Sequence, residues 1–249
     1  MPFPRLEWAV QLHTKELALV AGAPGAGKSV FALNIAMSLN DPVLYFAQDS
    51  APSVFARVAA LALGEEITYI YDSLRHAERK HKIINDLQDE YPDLFIHAGA
   101  LTVEDMGARL VALEEVLGQA PKLVIIDNLI DTIVPGHHHQ EIGFYASTLN
   151  GLKQMAIKHN TCIMALHHTT RRGGENSNPH GLGTRALKMT DLLYSGEREA
   201  EHVLGVYHSI DKKTLHVQVL KQRDGDADPE GGLEVSLVWH PPLGSLGAG

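Results

Sequence analysis

Apolar residues fall along this chain in two alternating rhythms. Mainly apolar runs at residues 17–21, 43–47, 94–97, 123–126 and 161–166, broken only at the ends by His97 and Thr161, have the length of strands. Between them lie longer stretches, 30–39, 52–63, 74–90, 103–118 and 141–159, whose apolar positions or composition read as helices. The clearest is 103–118, where Met106, Leu110, Leu113 and Leu117 recur at helical spacing behind a capping Thr102. Pro52 suits the first turn of the 52–63 helix, and Gly64 its C-terminal stop. Strands that alternate with helices and are apolar on both sides predict an α/β fold, a mostly parallel sheet with helices on both faces. After a glycine-rich loop at 171–183 the rhythm changes. Residues 215–220 and 233–238 pair as a C-terminal β-hairpin around an Asp/Gly-rich turn. Between 184 and 210 the pattern does not separate helix from strand. The expected division is a short lead-in at 1–16, one domain at 17–240, and a loose Pro/Gly tail at 241–249.

The chemistry concentrates where strands end. The first apolar run leads into Gly22-Ala23-Pro24-Gly25-Ala26-Gly27-Lys28-Ser29, and a predicted helix follows. Gly, four residues, Gly-Lys-Ser in a strand–loop–helix setting is a phosphate-binding loop. Glycines let the backbone wrap an anion, and the loop amides with the helix N-terminus supply donors and partial positive charge. Lys28 is placed to meet the β- and γ-phosphates of a nucleoside triphosphate, and Ser29 to hold Mg²⁺. The run at 123–126 delivers Asp127 to a strand end, where a carboxylate can orient water on Mg²⁺. In parallel sheets ligands sit at the carboxyl ends of strands, which puts Gly22, Asp49, Asp127 and His167 along one edge.

Composition narrows the class. The 249 residues are 45% apolar and 20% charged, as ordinary globular domains are, and no apolar run approaches a membrane span. No signal-peptide pattern opens the chain, and a lone Cys162 inside an apolar run reads as a core thiol, so a reducing cytoplasm is expected. The net charge of −9 argues against a protein that coats nucleic acid over its whole surface, so any contact with it must be focused.

Four segments in this order resemble DnaB-type replicative helicases, members of the RecA-like ATPases. They are residues 27–36, which contain Lys28 and Ser29; residues 43–49, where Asp49 stands at the family's catalytic Glu; residues 166–169, similar to the sensor strand of small plasmid-encoded hexameric helicases; and residues 219–225, similar to a Lys-x-Arg segment. The resemblance covers roughly residues 12–240. It implies a RecA-like P-loop NTPase core, ATP and Mg²⁺ as cofactors, and a hexameric ring of identical subunits acting on single-stranded or forked DNA. Lys221 and Arg223 would reach a neighbour's ATP, and His167 would act as the sensor, His167 and His168 alternating across the strand end. Two inner loops, 131–141 and 169–188, would face the DNA. The second carries Arg171, Arg172, Arg185 and Lys188 among glycines, suited to backbone phosphates. The first carries His137, His138 and His139, which could touch phosphates, stack on bases or join Asp131 or Glu141 on a metal. Two features depart from the family. Sixteen residues cannot supply its N-terminal domain and linker, and Asp49 is one methylene shorter than Glu, which predicts slow hydrolysis. Two other functions fit the same scaffold, a metal-dependent DNA nuclease and a non-motor, ATP-gated recombination mediator.

Overall fold

The computed structural model describes residues 3–48, 51–135, 142–169, 183–192 and 198–248. The nine strands among them form one sheet, ordered β3-β2-β4-β5-β1-β6-β7-β8-β9. Its parallel part is built from β1 (Leu17–Gly22), β2 (Val43–Ala47), β3 (Leu94–Ala98), β4 (Leu123–Asp127) and β5 (Cys162–His168). Every residue of β1, β2 and β4 is buried, as continuous apolar runs require when helices cover both faces. The edge strand β3 is only half-buried.

One face is covered by α2 (Lys28–Ser38), α3 (Ala51–Leu63), α4 (Ile67–Ser73) and α5 (Ala77–Glu90), the other by α6 (Val103–Leu117) and α7 (Ile142–His159). Alternate residues of each strand feed the two cores, so Val43, Tyr45 and Ala47 join the first while Leu44 and Phe46 join the second. Thr102 caps α6 as expected, accepting from the Asp105 amide at 3.0 Å. No helix among the described residues is long and apolar enough to cross a membrane.

The chain's last third extends the sheet. β6 (His202–His208) lies parallel to β1, then β7 (Thr214–Lys221) and β8 (Glu234–His240) follow antiparallel, the expected hairpin. The lead-in forms α1 (Pro4–Ala9), whose Leu6 is fully buried. The stretch 74–90 holds one helix, α5, which starts at Ala77, with α4 ahead of it. One expectation needs correction. The tail is not loose: β9 (Ser245–Ala248) pairs with β8, and the Asn34 side chain grips it through Gly244 O at 2.9 Å and Leu246 N at 3.0 Å. Pro241 and Pro242, which suggest an unstructured end, make the turn between those strands.

Candidate active site

The sheet order brings the carboxyl ends of β2, β4, β5 and β1 side by side, and a cleft of about 380 Å³ opens there. Residues 24–29 of the phosphate loop line it, with Asp127, Asn128 and His168. The loop's backbone depends on its glycines. Gly25 and Gly27 sit at φ +77° and +100°, and a Cβ on Gly27 would come within 2.5 Å of Leu215 Cδ1. Gly27 also caps α2, whose first residues Lys28 and Ser29 therefore stand at the positive end of a helix.

Lys28 is folded into the loop, donating to Gly22 O at 2.8 Å and Ala23 O at 3.1 Å. Burial lowers its pKa to about 8, partly offset by the Asp127 carboxylate. A desolvated ammonium beside the loop amides is poised to gain from an arriving polyphosphate. Asp127 closes β4, and its Oδ2 accepts from the Tyr45 hydroxyl at 2.6 Å. The adjoining Gln48 ties the strand ends together: its amide nitrogen donates to Thr132 Oγ1 at 2.8 Å and Asn128 O at 3.1 Å, and its oxygen accepts from Leu101 N.

The donor set fits a magnesium nucleotide. Ser29 and Asp127 offer a hydroxyl and a carboxylate, the hard oxygen ligands that Mg²⁺ takes alongside phosphates and water. That ion would draw the charge of the β- and γ-phosphates. Among the described residues no three His, Cys, Asp or Glu side chains converge as a separate metal centre.

The two histidines of β5 divide as a period of two demands, but the expected role of His167 needs correction. His167 is buried with its ring 5.3 Å from that of Tyr145 on α7, whereas His168 lines the cleft. Burial, then the nearby Lys28 charge, lowers the His168 pKa to about 4, so it meets the cleft as a neutral imidazole. Sequence reasoning missed Ser53, Val54 and Arg57 on α3 and Trp239 on β8, which line the cleft, and Tyr45, which partners Asp127. Trp239 reaches the loop because β8, antiparallel to β7, ends at the same edge of the sheet as β1, and the Trp239 ring lies 5.4 Å from that of His208.

Lys221 and Arg223 lie at the other end of the sheet. Lys221 donates to Ala200 O at 2.7 Å, and Arg223 pairs with Glu201 Oε1 at 2.8 Å. Glu201 also binds the Lys153 ammonium at 2.6 Å and the Leu17 amide at 2.9 Å. Burial raises the Glu201 pKa, but the Lys153 and Leu17 hydrogen bonds, with the Lys153 and Arg223 charges, bring it net below the ordinary range. Leu17 opens β1 and Gly22 ends it, so Arg223 is anchored about 16 Å of strand away from its own phosphate loop.

Of the expected DNA contacts, Arg171, Arg172 and His137 to His139 lie outside the described residues, as does Asp49. Arg185 and Lys188 are described, and each already faces a carboxylate: Arg185 meets Asp191 at 3.4 Å, and Lys188 meets Glu230. Both keep about half of their side-chain surface exposed, 45% and 48%. Their charge is therefore partly compensated, which the run of cations in the sequence does not reveal.

This fold and cleft define the protein as a P-loop ATPase core of the RecA-like class. The chain belongs to the AAA domain family, whose profile matches residues 1–174. It is 27% identical over 228 residues to the Gene 65 protein of Mycobacterium phage D29, covering 90% of this chain and 95% of that one. With the Gene 65 protein of Mycobacterium phage L5 it shares 25% over 233 residues, 92% and 84% of the two chains. Among solved structures, the ATPase domain of another protein superposes with a TM-score of 0.80 at 19% identity, over 99% of this chain and 89% of that one. A DnaB-like replicative helicase, in a structure that also concerns its interactions with primase, matches with a TM-score of 0.80 at 20% identity. The match spans 99% of this chain and 61% of that helicase. The fold read from the four motifs is thus the fold observed.

Proposed function

We propose that the protein is an ATP-dependent motor on DNA, a helicase or translocase serving replication or recombination in the cytoplasm. In this reading identical subunits pack head to tail in a hexameric ring and hydrolyse ATP with Mg²⁺ at their interfaces. The observation that carries it is the separation of the phosphate loop from Lys221 and Arg223 at opposite ends of one sheet. An arginine so far from its own cleft can act on a phosphoryl group only if another subunit presents one. A patch on one end that complements a different patch on the other makes a heterologous contact, which closes into a ring when the rotation allows. Lys28 and the loop amides bind the triphosphate, Ser29 and Asp127 hold Mg²⁺, Asp49 positions the attacking water, and His168 reports the cleft to the 169–188 loop. Arg171, Arg172, Arg185, Lys188 and His137 to His139 are the proposed DNA contacts.

The test is a labelled forked DNA incubated with the protein, with and without ATP and Mg²⁺. Strand separation that needs both is expected. Cleavage with metal alone would establish a nuclease instead, and ATP-dependent binding without separation a mediator.

A further inference from the structure

Tyr45 is the cleft's polar partner that no motif identifies. In the β2–β4 register Ala47 stands opposite Asp127 and Tyr45 opposite Ile125. Tyr45 is therefore one two-residue step, about 6.6 Å, below Asp127 on the same face of the sheet. The small side chain of Ala47 leaves the phenol room to lean along the strand, and its hydroxyl reaches Asp127 Oδ2 at 2.6 Å. The ring is wholly buried. Burial first, then the charge and hydrogen bond of Asp127, push its pKa well above the ordinary value, with Arg57 pulling the other way. The hydroxyl is the donor in this pair, because the carboxylate oxygen has no proton to give. Packing alone does not call for it, because phenylalanine would fill the same core without burying a hydroxyl.

We infer that Tyr45 is a positioning residue for Asp127: it holds one carboxylate oxygen so that the other is turned to the cleft for Mg²⁺. The inference rests on the proposed magnesium-nucleotide site and adds a residue to it. Partners that orient a metal-binding carboxylate set its affinity for the ion as well as its geometry, and removing one costs about 10- to 100-fold. Tyr45 does this from inside the core, so Asp127 is oriented before any ligand arrives.

The experiment is a Mg²⁺ titration of the binding of a fluorescent ATP analogue to wild type, Tyr45→Phe, Asp127→Asn and the double variant. Tyr45→Phe keeps the ring, and its nucleotide affinity in EDTA should equal that of the wild type, which shows the cleft to be intact. Its half-saturating Mg²⁺ concentration should rise at least about 10-fold. Asp127→Asn should shift the curve too, and adding Tyr45→Phe to it should change little, because both act on one carboxylate. Superimposable Mg²⁺ curves for wild type and Tyr45→Phe, or fully additive shifts in the double variant, would each overturn the role of Tyr45. A wild type that binds no nucleotide under any condition would overturn the site itself.

Discussion

Nucleotide binding should draw a proton onto Lys28, and the amount is set by its burial. In the free protein its pKa is about 8, where an ordinary lysine sits near 10.4. A bound triphosphate brings opposite charge to within contact and restores the ammonium. With a free-state pKa of about 8, the neutral fraction is about 0.1 at pH 7, 0.5 at pH 8 and 0.9 at pH 9, and binding should take up that many protons. Affinity should then fall about 10-fold, or 1.4 kcal/mol, for each pH unit above 8. The terminal phosphate is already ionised over that range, so its own titration does not mask the effect. Stability should move the other way. A lowered lysine pKa means that the unfolded chain binds more protons between about pH 8 and 10.5, so the free protein gains stability from this group as pH rises through that window. The assay is calorimetry of ATP binding at pH 7, 8 and 9 in buffers of different ionisation enthalpy, which yields the proton count directly. Denaturant melts of wild type against Lys28→Met read the stability trend. An uptake that does not grow from pH 7 to pH 9 refutes the reasoning.

His168 should titrate near pH 4 by NMR, and activity between pH 6 and 8 should owe nothing to its charge; a midpoint near 6.5 would mean that its ring is not desolvated beside Lys28. DNA affinity against salt should lose about one unit of slope for each cation removed, more fully for Arg171→Ala and Arg172→Ala than for Arg185→Ala and Lys188→Ala, which face Asp191 and Glu230. An unchanged slope in all four, with affinity lost on replacing His137 to His139, would move the DNA contact to the first loop.

What the sequence made legible follows from how each feature is encoded. The strands β1, β2 and β4 are buried on both faces and so are written as uninterrupted apolar runs. The phosphate loop is contiguous, and its chemistry can be read in eight letters. By contrast β6 is buried except at Tyr207 but contains His202, Gly205 and His208, and a histidine there looks like a loop residue until Glu16, 2.8 Å from His202, is found beside it. The break between α4 and α5 carries neither Gly nor Pro, so nothing local announces it. Around the cleft, Tyr45 and Trp239 have the residue types and spacing of core positions. Only the register that sets Tyr45 one step from Asp127, and the antiparallel return that ends β8 at the loop's edge of the sheet, give them contact with the site. His167 and His168 could be placed on opposite faces from the sequence, but which face held the cleft depended on the packing of Tyr145.

The central claim, hydrolysis shared between subunits, is tested most directly by mixing two dead variants. Lys28→Ala loses the phosphate loop and keeps Arg223, while Arg223→Ala does the reverse. In a randomly mixed 1:1 ring about a quarter of the interfaces join an intact loop to an intact arginine. ATPase activity should therefore return to about a quarter of wild type from two preparations that are each nearly inactive. A mixture no more active than its parts, or a wild-type protein that hydrolyses ATP at full rate as a monomer, would contradict it.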